Sequence, residues 1–319
     1  MLTREPSAPE PVFPGVRRAV KQALFAAGYY RRRLPQIEFP GIAILCYHGV
    51  RADDHESAPF NELHVTQRTF ERHCRLLAEL CNPISLDDLR AARAGMRTLP
   101  PRPVIVTFDD GYRGVLDHAL PALERHGVPA AVFACTGPVL RARHFWFDVL
   151  YRRDGEAAVL EAKGAPFDEW RARAESIDTP AEACERHRPL TLEELRRLAA
   201  SPLIEIGGHT MSHPTLALTP VDEQRREIVG CRAALRDAID KPIESFAYPY
   251  GNLEQDYLPE TVRLVRQAGF SLAFTTAPSF ATLQDDPFQI PRFVMLESVD
   301  DVELAHRLLH SWHGLGEQA

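Results

Sequence analysis

An apolar run, Val104-Ile105-Val106-Thr107-Phe108, ends in Asp109-Asp110-Gly111-Tyr112. Far downstream, Gly207-Gly208-His209-Thr210-Met211-Ser212-His213-Pro214 carries two histidines four positions apart. The first segment brings two adjacent carboxylates to a strand end. The second lets one helical turn or tight loop aim both imidazoles at one point. Two histidines and one carboxylate, with a coordination position left for water, make the ligand set of a hydrolytic zinc site. The other carboxylate is then free to act as a general base. For the aspartates alone, a turn or helix-cap role before glycine is the simpler reading. The histidine pair is what argues for chemistry.

Secondary structure has to hold these residues in place. From Gly41 onward, short β-rich runs alternate with helical stretches, which points to a parallel α/β architecture. Strands are expected at 42–47, 104–108, 130–135, 204–207, 245–247 and 272–275. Their near-continuous apolarity suits strands covered on both faces. Helices are expected at 69–80, at 115–126 with Gly127 as C-cap, at 222–239, 259–268 and 298–310. Another opens at Thr191-Leu-Glu-Glu194, a capping box, and runs to Ala200. The charged, helix-prone segment from about 137 to 190 breaks the rhythm and reads as a helical insertion capping the C-terminal face of the strands.

With 319 residues the chain can bury a sizeable core in one large domain or two small ones. A net charge of −7 and a pI near 6.0 argue against nucleic acid as a partner. Six cysteines (Cys46, Cys74, Cys81, Cys135, Cys184, Cys231) are scattered without a Cys-x-x-Cys pair. They read as reduced structural thiols of a reducing compartment. There is no signal-peptide pattern and no run near the ~20 apolar residues of a membrane span, so a soluble, cytoplasmic chain is expected. Residues 16–33, VRRAVKQALFAAGYYRRR, carry six positive charges around Leu24, Phe25, Tyr29 and Tyr30. Such a basic amphipathic helix can make peripheral contact with an anionic inner-membrane surface. It can equally pack on the domain and leave its basic face in solvent.

Thr107-Phe-Asp-Asp-Gly-Tyr112 resembles the first signature of the polysaccharide deacetylases, carbohydrate esterase family 4, whose catalytic unit is the NodB homology domain. His209-Thr-Met-Ser-His213 is similar to the second signature, His-Ser/Thr-x-x-His. Phe246-Ala-Tyr-Pro-Tyr-Gly251 is similar to the third, in the variant ending Tyr-Pro-Tyr-Gly. The three stand in the family's order, and the resemblance covers about residues 42–294. It implies a distorted (β/α) barrel of about seven strands with its site at the C-terminal mouth. The catalytic domain would span 41–319, insertion included, behind the basic segment 1–40. By matching position, Asp110, His209 and His213 would hold a divalent metal, Zn²⁺ first, with Co²⁺ or Mn²⁺ as alternatives. Asp109 would be the general base and the Tyr250 loop would supply a backbone N–H to the oxyanion, with Tyr248 a substrate contact nearby. The implied reaction is hydrolysis of the acetamide of an N-acetylated amino sugar in a bacterial poly- or oligosaccharide, free or lipid-linked. Two alternatives stay open: a deformylase or other linear or cyclic amide hydrolase on the same scaffold, and an impaired carbohydrate-binding homologue, against which the intact Asp109 counts.

The chain departs from the family pattern in two places. The third motif lacks the arginine that orients the catalytic aspartate in many members; Ala247 or Tyr248 stands there. Arg292, in Ile290-Pro-Arg-Phe293, can restore the charge from another direction, or be a surface arginine. The last family motif, Leu-His-Asp, is only imitated by Leu309-His310-Ser311 in a helical setting. That leaves the general acid open, with His48 of Tyr47-His-Gly-Val50 the leading substitute; its other reading is a half-buried structural histidine. Trp146, in His144-Phe-Trp-Phe-Asp148, can stack on a sugar face or serve in core packing.

Overall fold

Successive residues of a strand face opposite ways, and the apolar runs of this chain use both faces. Ile44, Ile105, Ala131, Phe133, Ala247 and Phe274 belong to one buried cluster, and Leu45, Val106, Val132 and Phe246 to another. The first fills the inside of a curled sheet. The second lies under the surrounding helices, together with their apolar stripes, such as Leu195, Leu198, Ile228 and Val265. The computed structural model describes residues 14–53, 60–141, 143–177 and 187–310.

The described residues form ten strands: β1 (Ala43–Tyr47), β2 (Gly49–Arg51), β3 (His64–Thr66), β4 (Asn82–Pro83), β5 (Pro103–Phe108), β6 (Ala130–Ala134), β7 (Ile204–Gly208), β8 (Ser245–Ala247), β9 (Leu272–Phe274) and β10 (Phe293–Val294). The main sheet runs β10-β1-β5-β6-β7-β8-β9, with β4 added beside β5, and β2 and β3 form a separate pair. All pairings between these strands are parallel. Ile290 bridges to Phe274 on β9, and Phe293 pairs with Leu45 on β1. One short segment therefore touches both edges of the curl, giving the distorted seven-strand (β/α) barrel expected.

The predicted strands form within a residue or two of their expected bounds. The short strands β2, β3, β4 and β10 were not foreseen, because two or three residues carry no readable alternation. The capping box at Thr191 forms, with Thr191 N–H on Glu194 Oε2 at 2.9 Å. The helix expected over 115–126 is split into a π-helical turn, Val115–Ala119, and an α-helix, Leu120–His126, ending on Gly127 in the left-handed region. Pro121 has no N–H with which to continue the α pattern back into that turn. Between β6 and β7 the insertion builds helices Thr136–Arg141, Trp146–Asp154, Glu156–Lys163 and Phe167–Ser176.

At the other end of the chain, helices Pro14–Ala26 and Tyr29–Arg33 lie against helix Asp301–Leu309. Tyr30 is buried and bonds His306 Nδ1 at 3.1 Å, and Lys21 reaches Glu303 at 2.6 Å. Leu24, Phe25 and Tyr29 pack against the main core. Of the apolar side chains that suggested a membrane contact, Tyr30 is buried and the other three are partly buried against the core, while Val16 and Val20 are exposed. Among the described residues no helix is long and apolar enough to cross a membrane. Five cysteines are buried free thiols; Cys184 lies outside the described residues.

Candidate active site

The β1–β5 register pairs Cys46 with Thr107, and the alternation that turns Ile44 and Ile105 inward carries on to Cys46, His48, Thr107 and Asp109. Asp109 sits just past the end of β5, its N–H on Tyr47 O at 2.9 Å. The next residue, Asp110, turns across the mouth with φ 71°, and Gly111 follows at φ 92°. Thr210, His213 and Tyr250 also have positive φ (66°, 61° and 61°). Four non-glycine residues in this sparsely populated region at one place mark backbone held against its preference, as at functional sites.

Asp110, His209 and His213 meet as the sequence anticipates. Each offers a ligand atom, and the three atoms lie within 4.8 Å of one another. Both imidazole Nε2 atoms stand 3.4 Å from Asp110 Oδ1. All three side chains are buried, and Asp110 Oδ1 has no hydrogen-bond partner. His209 Nδ1 lies 2.8 Å from Ala247 O, so it carries the proton and leaves Nε2 as a free donor atom for a cation. Burial drives the His213 pKa down to about 3, leaving a neutral ring able to ligate. A buried, unpaired carboxylate oxygen facing two imidazole nitrogens fits a divalent cation of the zinc type.

Asp109 faces a different environment. Its oxygens are gripped by Arg292, Nη1 to Oδ1 at 2.8 Å and Nη2 to Oδ2 at 2.7 Å. Arg292 is wholly buried and also donates to Thr107 Oγ1 and Thr275 O. Burial alone would raise the Asp109 pKa. The guanidinium, with His209 adding to it, outweighs that and holds the carboxyl well below the usual range. The surface-arginine reading of Arg292 is therefore excluded. His48 is half-buried, with a ring nitrogen within 4.8 Å of an Asp109 oxygen.

A cavity of about 210 Å³ opens over this floor. Tyr250 lines it, with its ring 4.7 Å from that of His213. The Tyr250 N–H donates to no acceptor among the described residues. Two expected substrate contacts are corrected. Tyr248 is fully buried, stacks on Tyr257 and donates its hydroxyl to Phe288 O, so it is a core residue. Its side chain points the way Phe246 does, into the core under the helices, with its N–H on Phe274 O. Trp146 is buried against Trp170 and is absent from the cavity lining; its indole N–H donates to His213 O at 3.4 Å, bracing the loop from behind. Its neighbour Phe147 lines the cavity instead. His310 is exposed at the end of the last helix, against His306.

Sequence reasoning missed several residues. Cys46 Sγ lies 3.3 Å from Asp109 Oδ2, and its place two residues before His48 on one strand face was the available signal. Glu227 accepts from Met211 N, Ser212 N and Ser212 Oγ at 2.7, 2.9 and 2.5 Å, holding the histidine loop; it comes from a distant helix, and nothing in the sequence marks it. Tyr112 donates to both oxygens of buried Asp148, whose pKa burial pushes well above the carboxylate range.

The sequence profile of the polysaccharide deacetylase family matches residues 96–273. The poly-β-1,6-N-acetyl-D-glucosamine N-deacetylase of Escherichia coli (strain K12) is 22% identical over 262 residues, covering 71% of this chain. The chain spans only 33% of that relative's length. Two solved structures share the fold. The Streptococcus pyogenes deacetylase PplD in complex with acetate has a TM-score of 0.61 at 17% identity, over 85% of this chain and 99% of that one. IcaB from Ammonifex degensii has a TM-score of 0.59 at 22% identity, over 84% and 97%.

Proposed function

The chain belongs to the polysaccharide deacetylase family, and from that premise we propose that it is a metal-dependent N-deacetylase. Its substrate in this reading is the acetamide of an N-acetylated amino sugar, in a poly- or oligosaccharide. The observation that carries the reading is the division of the two aspartates: Asp110 facing His209 and His213, and Asp109 turned to Arg292.

Asp110, His209 and His213 would hold the cation, Zn²⁺ by the chemistry of the donor set. When bound there, such an ion polarises a carbonyl and makes a water easier to deprotonate. Asp109 takes the proton of the attacking water. Arg292 keeps that carboxylate ionised and fixed in orientation, and Oδ1, which unlike Oδ2 has no thiol beside it, retains a lone pair beyond the Arg292 contact. The Tyr250 N–H donates to the oxygen that gains charge. His48, whose ring stands beside Asp109 at the cavity floor, hands a proton to the departing amine. An impaired binding homologue would have no use for a buried Asp109–Arg292 pair.

The test is acetate release from a panel of N-acetyl sugars by the Zn²⁺-loaded protein. Asp109→Asn should keep its metal and lose at least ~10²-fold in kcat, the usual range for a general base. His213→Ala should lose both metal and activity. Near wild-type turnover by Asp109→Asn, or a full metal equivalent in His213→Ala, would sink the assignment.

A further inference from the structure

Outside the main sheet, β2 and β3 form a short parallel pair whose register sets Gly49 against His64. His64 is 2% exposed, yet it lines the cavity over Asp109 and Asp110. Three neighbours hold its ring. It stands edge-on to Tyr112, with centroids 4.6 Å apart, and to His187 at 5.4 Å. The third neighbour is Gly49, where a Cβ would run into His64 Nδ1. Glycine is the residue that lets the ring sit this close to the backbone.

This packing leaves the ring's hydrogen-bonding groups unused. Neither nitrogen has a hydrogen-bond partner among the described residues, and the contacts to Tyr112 and His187 are ring against ring. A buried polar group without a partner costs free energy, so packing alone would be better served by a hydrocarbon ring. Burial, with His187 and His48 nearby, drives the His64 pKa down to about 3. The imidazole is therefore neutral, with one N–H donor and one lone-pair acceptor. Other polar side chains along the cavity are engaged: Lys163 pairs with Asp256, Tyr112 donates to Asp148, and Thr276 donates to Tyr250 O. A sugar entering here brings hydroxyl groups that lose water and need new partners.

We propose that His64 is a substrate-recognition residue that pairs with one hydroxyl of the amino sugar in the cavity through Nε2, the nitrogen not set against Gly49. The inference rests on the deacetylase reading above and adds to it a residue that selects the substrate.

The N-acetyl sugar that the Zn²⁺-loaded full-length protein turns over fastest would be compared with its 3-, 4- and 6-deoxy analogues, in wild type and in His64→Phe. Wild type should lose at least ~5-fold in kcat/KM toward one analogue, the effect of a buried hydrogen bond left half made. His64→Phe keeps a ring in place without its nitrogens. It should lose about as much toward the parent sugar and show no further loss toward that analogue, the signature of two coupled groups. His64→Gln, whose amide reaches about as far as Nε2, should restore part of the discrimination. If a folded His64→Phe keeps every wild-type deoxy penalty, His64 is a packing residue; the inference falls and the deacetylase reading stands. Wild type indifferent to all three deletions overturns the inference in the same way. Acetate from no sugar at all overturns both. Should His64→Phe fail to fold, His64→Asn, whose amide stops at the place of Nδ1, should likewise remove the penalty, and an unchanged penalty refutes the inference.

Discussion

Arg292 and Asp109 form a bidentate ion pair in which neither side chain meets appreciable solvent, at 0% and 4% side-chain exposure. Two charges taken out of water stabilise each other only when the geometry is good and the remaining donors are satisfied. The geometry is bidentate, and the other bonds of Arg292 go to Thr107 Oγ1 and Thr275 O. Arg292→Ala should destabilise the fold by about 3–5 kcal/mol, the range for stranding one member of a buried pair. It should also slow acetate release. Arg292→Lys keeps the charge but not the planar fork, so it should recover part of the stability and little of the rate. Urea unfolding and steady-state kinetics of both variants check this; equal stability of Arg292→Ala and wild type would refute the pairing.

A second carboxylate makes stability depend on acid. Glu194 is held at about 2 by the Arg188 guanidinium, at 2.7 and 2.8 Å, aided by Thr191 N–H. Its folded pKa lies below its ordinary value of 4.5. Its contribution is therefore complete above pH 4.5 and fades as pH falls toward 2. Screened by solvent, it should amount to about 1 kcal/mol. Glu194→Gln should be less stable than wild type at neutral pH, and the gap should close on acidification through that window. Melting temperatures of the two proteins from pH 6 to 2 give the readout; a constant gap would contradict the assignment.

Legibility followed local signals. The meeting of Asp110 with His209 and His213, beside Asp109, could be read because strand alternation and the four-residue histidine spacing are local rules and the family resemblance ordered the motifs. The six apolar runs pointed to a parallel α/β architecture, and the seven-strand barrel was what the family resemblance implied. Arg292 and His48 were visible only as candidates, since what places them beside Asp109 is the pairing of β10 and β5 with β1, a non-local event. Tyr248 misled because its motif neighbours face the site, whereas its own side chain is turned by β-pairing into the core. Glu227 was invisible: a glutamate on an otherwise ordinary helix gains its role from which loop lies opposite.

The N-terminal helices offer a test between packing and membrane use. Tyr30 is 1% exposed and joins the first helices to His306. Tyr30→Ala should cost about 3 kcal/mol, the lower end for a large aromatic removed from a core. Arg17→Ala, on the exposed face, should change stability by no more than ~0.5 kcal/mol. If deleting residues 1–38 leaves the melting temperature unchanged while abolishing binding to anionic liposomes, the segment serves a membrane and not the fold.

Glu227 decides how well the histidine loop is prepared for a cation. Two backbone N–H groups and the Ser212 hydroxyl converge on its carboxylate. Between Thr210 and His213, both at positive φ, the loop would relax without them. Groups that orient ligands from behind typically alter metal affinity 10–100-fold. Glu227→Gln keeps one acceptor oxygen and should lie near the lower figure; Glu227→Ala strands three donors and should approach the upper one. Competition with a chelator of known affinity measures this directly, independent of turnover. Circular dichroism of the metal-free variants separates a loosened loop from a lost fold. Wild-type affinity in a folded Glu227→Ala protein would show that His213 is positioned by its own backbone and by the Trp146 contact alone.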